Sequence, residues 1–242
     1  TPTIGGVGMI ADWSKMTRIG FAAEGQMILL VGAPSSWGTH LGQSAYMRDI
    51  HGRTDGPPPP VDLEHEKRVG DHVRDLIASG VVTAAHDVSD GGIAVALAEM
   101  AMASGIGATV PGLAGTDPIP VWFGEDQGRY LLTLSVDPNG AEWEAIRKQQ
   151  ADLGIFAPWI GTTGGNELKL GEARAIYERA CAAKGVTPER LSGPAAWQLP
   201  SKAGLEALVA AGGEVGVLAR CAQLGDDISG LQELVTYGLK GL

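Results

Sequence analysis

The chain has 242 residues, with Gly 36 and Pro 14 among them and a hydrophobic share of 44%. Glycine stands at about twice its usual share of roughly 7%, yet the apolar fraction is ordinary, so a packed core is available to one large domain or two small ones. Acids outnumber bases 28 to 18, for a net charge of −10, and aromatics make up 5%, which excludes a general nucleic-acid binder that needs clustered cations and stacking rings.

In chain order, Thr1–Ile10 (TPTIGGVGMI) is a glycine-rich loop, either a phosphate cradle or a plain turn; it is neither a Walker motif nor a dinucleotide fingerprint. Gln26–Val31 is a buried-strand run ended by Gly32 and Pro34. A helix over Gly38–Ile50 leads to Gly52–Pro60, a loop whose prolines favour polyproline II. Val61–Ser79 is a helix with Val69, Val73, Leu76 and Ile77 at helical spacing and Gly80 as its stop. Val81–His86 is a strand and Gly92–Ser104 an alanine-rich helix stopped by Gly105. Tyr130–Val136 is a strand and Ala141–Leu153 a helix. Phe156–Thr162 and Glu167–Leu170 are short strands flanking a Gly164–Gly165 turn. Alternation of short apolar runs with helical patterns predicts an α/β fold. Residues 177–242 show helical periodicity alone.

The cysteines, Cys181 and Cys221, are too few for a disulfide scaffold or a self-sufficient zinc or iron–sulfur site. No apolar run is long enough for a membrane span and no signal peptide opens the chain, so it reads as cytoplasmic. Without an initial Met, and stopping inside a helical pattern, it reads as a fragment.

The densest chemistry lies in His86–Gly92, HDVSDGG, between a strand end and a helix start. Helix N-termini offer unpaired N–H groups to anions. Gly91 and Gly92 would let backbone approach a phosphate, and Asp87 or Asp90 could hold Mg²⁺ through oxygen. The plainer alternative is that Ser89 or Asp90 caps the helix. Phe123–Tyr130, FGEDQGRY, places Glu125, Asp126, Gln127 and Arg129 before a strand. Either these bind a sugar phosphate or an amide, or they form a solvated turn with an Arg–carboxylate pair. His40, His51, His65 and His72 lack metal spacing; His65 and His72 read as surface or packing residues. No Ser/His/Asp set can be assembled.

Taken together, TPTIGGVGMI, AHDVSDGGIAVALAEMA and FGEDQGRYLLTLSV resemble, in order and spacing, the C-terminal part of the phosphoribosylformylglycinamidine synthase (PurL) family over residues 1–176. The resemblance implies an ATP-dependent ligase of purine biosynthesis. It converts formylglycinamide ribonucleotide, ATP and glutamine-derived ammonia to formylglycinamidine ribonucleotide. ATP phosphorylates the amide oxygen, and ammonia then displaces phosphate. It implies residues 1–20 as the tail of an AIR-synthetase-like N-terminal domain and residues 21–176 as an AIR-synthetase-like C-terminal α/β domain. By motif, Asp87 matches a Mg²⁺ ligand, Ser89 with Gly91 and Gly92 a nucleotide contact, and Glu125 and Gln127 substrate ligands. The implied cofactors are ATP and Mg²⁺. The implied partners are the N-terminal half of the ligase, a glutaminase subunit and a small scaffold subunit. The family's catalytic His belongs to the first half, so no catalytic residue is assigned and the chain alone is expected to be inactive. Residues 177–242, ending GDDISGLQELVTYGLKGL, resemble a helical segment of the hybrid-cluster protein (hydroxylamine reductase) family, with a foreign join expected near Ile176–Tyr177. Competing readings are an AIR-synthetase-like small-molecule kinase, a redox metalloprotein argued from the tail, and an α/β interaction module without a ligand.

Overall fold

A computed structural model describes residues 8–10, 12–32, 39–111 and 117–171. The first seven residues of the glycine-rich loop, Gly38, Cys181, Cys221 and the whole 177–242 segment lie outside the described residues.

Among the described residues the fold is built on six strands: β1 (Met27–Val31), β2 (Val82–Asp87), β3 (Ala108–Val110), β4 (Tyr130–Leu134), β5 (Trp159–Thr163) and β6 (Leu168–Leu170). They form one mixed sheet in the order β2-β4-β1-β5-β3-β6, antiparallel except for the parallel β3–β6 pair. Every residue of β1 is buried because the strand is central and covered on both faces. Ile28 and Leu30 enter one core, whereas Met27, Leu29 and Val31 enter the other.

The helices are α1 (Ala45–His51), α2 (Leu63–Ser79), α3 (Gly92–Ser104), α4 (Pro118–Phe123) and α5 (Ala141–Asp152). Side chains of α1, α3 and α4 fill the core on the first face, and those of α2 and α5 the core on the second. Asp62 caps α2 by accepting the N–H of His65, and Gly80 ends it in the left-handed conformation. The helix α3 is buried along most of its length, which its small alanines permit beside the sheet.

One expectation changes. The segment over 38–50 is helical only from Ala45, with Ser44 as its N-cap accepting the N–H of Met47. The two short strands flanking the Gly164–Gly165 turn are present as β5 and β6, with β3 between them in the sheet, and Gly107 exchanges backbone hydrogen bonds with Gly164 and Gly165. A side chain on Gly107 would collide with the backbone of Glu167.

His65 and His72 pack on the inner face of α2 with Val69, Val73 and Leu76. His72 is 1% exposed and neither ring nitrogen has a partner. Burial lowers its pKa from 6.5, opposed by nearby Asp75. The unfolded chain therefore binds the proton more tightly. Stability from this site is complete above pH 6.5 and falls as pH drops below it. His72→Leu is expected to raise the unfolding free energy by about 1 kcal/mol at neutral pH and to flatten that acid-side loss. Urea unfolding at several pH values checks it; a destabilised variant with the wild-type pH slope contradicts it.

Candidate functional site

The HDVSDGG and FGEDQGR segments, distant in sequence, meet at one edge of the fold. The chain leaves β2 at Asp87 and enters α3 at Gly92, with Val88 buried and its N–H bonded to the carbonyl of Arg129. Asp87, Ser89 and Asp90 remain exposed.

One carboxylate oxygen holds the assembly. Glu125 Oε1 accepts the N–H of Gly91 at 2.8 Å and that of Ala45 at 2.7 Å. These are the N-cap of α3 and the first residue of α1. Neither Ser89 nor Asp90 caps α3: its N-cap is Gly91, in the left-handed conformation at φ 80° and without a side-chain cap of its own. The acceptor comes instead from a loop 34 residues away. Burial raises the pKa of Glu125, and Asp90 adds to the rise; the two N–H donors and Arg48 oppose it.

The two glycines are used for packing. Gly91 gives its N–H to Glu125, and Gly92 gives its N–H to the carbonyl of Ser89 at 3.0 Å. A Cβ on Gly92 would fall 2.7 Å from the carbonyl oxygens of Trp122 and Gly124, at the end of α4. Both glycine N–H groups thus have partners within the protein. What faces solvent is the side chains of Asp87, Ser89 and Asp90.

The FGEDQGR loop is not a solvated turn. The Arg129 side chain is 1% exposed, and its Nε donates to the carbonyl of Asp126 at 3.0 Å while Nη2 donates to that of Gly124. The guanidinium also lies 3.9 Å from the Asp126 carboxylate. Burial lowers its pKa, against the pull of Asp126 and Glu125. Asp126 fixes the neighbouring segment. Its carboxylate accepts the N–H groups of Thr39 and His40, the Thr39 hydroxyl, and His40 Nδ1 at 2.7 Å. Burial pushes the Asp126 pKa up, but these donors and Arg129 outweigh it and leave it below 3.8. Gln127 is exposed, with its amide 3.4 Å from the carbonyl of Glu125.

Sequence reading gave His86 no partners. Its Nε2 lies 2.9 Å from Glu99 Oε2 on α3, and its Nδ1 lies 3.1 Å from Asp87 Oδ1. The bond to Glu99 raises its pKa, burial opposes the rise, and Asp87 adds to it. Stability from this contact is present below pH 6.5 and is lost as pH rises through the raised value. The signal in sequence is the spacing of His86 from Glu99, which no local pattern marks. Among the described residues no group of three or more His, Cys, Asp or Glu is gathered as a ready metal cage. No helix there is long and apolar enough to cross a membrane.

The sequence profile of the AIR synthase related protein C-terminal domain matches residues 23–165. The chain belongs to that family. It is 87% identical over 176 residues to the phosphoribosylformylglycinamidine synthase subunit PurL of Mesorhizobium japonicum, covering 73% of this chain and 24% of that protein. The PurL subunit of a Chelativorans species is 64% identical, again over 73% of this chain and 24% of the relative. The chain thus spans about a quarter of the length of these curated relatives. Among solved structures, Thermotoga maritima PurL complexed with FGAR superposes with a TM-score of 0.48 at 18% identity, covering 62% of this chain and 26% of that one.

Replacing Glu125 tests the architecture of the site. Glu125→Ala removes the shared acceptor of two helix starts and is expected to cost about 1–3 kcal/mol. Glu125→Gln keeps an acceptor oxygen and is expected to cost less. The raised pKa means that wild-type stability falls as pH rises from 4.5 through the folded value. The Gln variant should lack that step. Chemical unfolding from pH 4 to 8 checks both, and an Ala variant as stable as wild type contradicts the assignment.

Proposed function

We propose that this chain supplies part of the second half of a phosphoribosylformylglycinamidine synthase. In this reading residues 1–20 end an AIR-synthetase-like N-terminal domain and residues 21–176 form the C-terminal α/β domain, with residues 177–242 a separate helical piece. The observation that carries it is the 87% identity over 176 residues to a PurL subunit. The reaction is ATP-dependent amidine formation from formylglycinamide ribonucleotide and ammonia. A glutaminase subunit and a small scaffold subunit serve as partners, and the other half of the ligase carries the catalytic His.

The residues present fit a nucleotide with Mg²⁺. Hard cations take carboxylate, hydroxyl and phosphate oxygens, and Asp87, Ser89 and Asp90 are exposed oxygen donors on one short loop. Asp87 would ligate the cation and Ser89 would contact the nucleotide. Gly91 and Gly92 would shape the loop that presents them. Bound there, Mg²⁺ would offset charge between carboxylate and phosphates. Glu125 orients the loop through Gly91 with one carboxylate oxygen, and Glu125 together with the exposed Gln127 would supply the substrate contacts of that segment.

Calorimetric titration with ATP and Mg²⁺ tests the site. Asp87→Ala, an exposed position, is expected to weaken binding about 10-fold or more, the scale of one lost charged contact. Equal affinity removes the assignment. The 242-residue polypeptide alone is expected to show no ammonia- and ATP-dependent turnover, and measured turnover contradicts the division of the site between two halves.

A further inference from the structure

Asp87 is the last residue of β2 and its side chain is 64% exposed. A carboxylate so placed ordinarily samples several rotamers, and ordering it opposes cation binding. Here its Oδ1 is 3.1 Å from His86 Nδ1, and the other ring nitrogen is 2.9 Å from Glu99 Oε2. The His86 side chain is only 13% exposed, so its ring has a fixed seat between the strand end and α3.

We infer that His86, held by Glu99, is a positioning residue that presents the second oxygen of Asp87 to a divalent cation. The inference rests on the reading of Asp87 as a metal ligand given above. The chain Glu99–His86–Asp87 has the form of an outer shell: a carboxylate fixes an imidazole, which fixes the ligand. Removing such outer partners from metal sites typically costs 10- to 100-fold in metal affinity. The arrangement also explains a polar contact across α3 and β2 that the apolar packing of this helix does not require.

Mn²⁺ is the probe, with free ion counted by electron paramagnetic resonance in the presence of saturating ATP. Glu99→Ala frees the ring and is expected to weaken Mn²⁺ binding about 10-fold while ATP without metal binds as in wild type. Glu99→Gln keeps an oxygen that accepts from Nε2 and is expected to recover most of the loss. Thermal melts of both variants confirm that they fold. If Asp87→Ala binds Mn²⁺ as wild type does, or wild type binds none, the metal-site reading falls and takes this inference with it. If Asp87→Ala loses binding but Glu99→Ala does not, the positioning role alone is overturned. If Glu99→Ala weakens ATP binding equally with and without metal, its role is structural and the inference fails.

Discussion

The Glu125 carboxylate joins three parts of the chain that are far apart in sequence. Its Oε1 receives the N–H groups at the start of α1 and of α3, so one anion answers two helix ends. Helix starts carry unpaired donors and partial positive charge, and an acceptor there is worth more than the same contact elsewhere. The loop that carries Glu125 is held by further hydrogen bonds. Arg129 binds the carbonyls of Gly124 and Asp126 from beneath, and Asp126 pins Thr39 and His40 alongside. The exposed loop of Asp87, Ser89 and Asp90 owes its shape to this buried polar network.

That network also separates structural from chemical work within one motif. In HDVSDGG the glycines face inward: Gly91 and Gly92 adopt positive φ, and a Cβ on Gly92 would strike the end of α4. The polar residues face outward. An acidic chain can attract an anionic nucleotide only through a cation or fixed dipoles, and the outward oxygens are the ones suited to a cation. His86 belongs to neither class, since it ties the outward Asp87 to Glu99 on the helix.

Much of the fold was legible in sequence where one physical rule dominated. The run of β1 reads as buried because both faces are covered, and α3 runs from Gly92 to Ser104 because a left-handed glycine stands at each boundary. Rules failed where the deciding partner was distant or the segment short. The strand β3 has three residues and α4 begins Pro-Ile-Pro, so neither carries a period. The insertion of β3 between β5 and β6 depends on pairing that no local turn signal encodes. The site was legible as two segments rather than as an arrangement. The local pattern offers Ser89 or Asp90 as one alternative cap for α3, whereas the acceptor for the Gly91 N–H lies 34 residues onward. Arg129 reads as a surface partner for carboxylates until the carbonyls around it are seen.

Amide hydrogen exchange at Gly91 and Ala45 tests the central role of Glu125 most directly. Both amides should be strongly protected in the wild-type protein and should lose protection together in Glu125→Ala, while the amides of β1 stay protected. Rapid exchange at Gly91 and Ala45 in the wild type, or protection that survives the substitution, would contradict it.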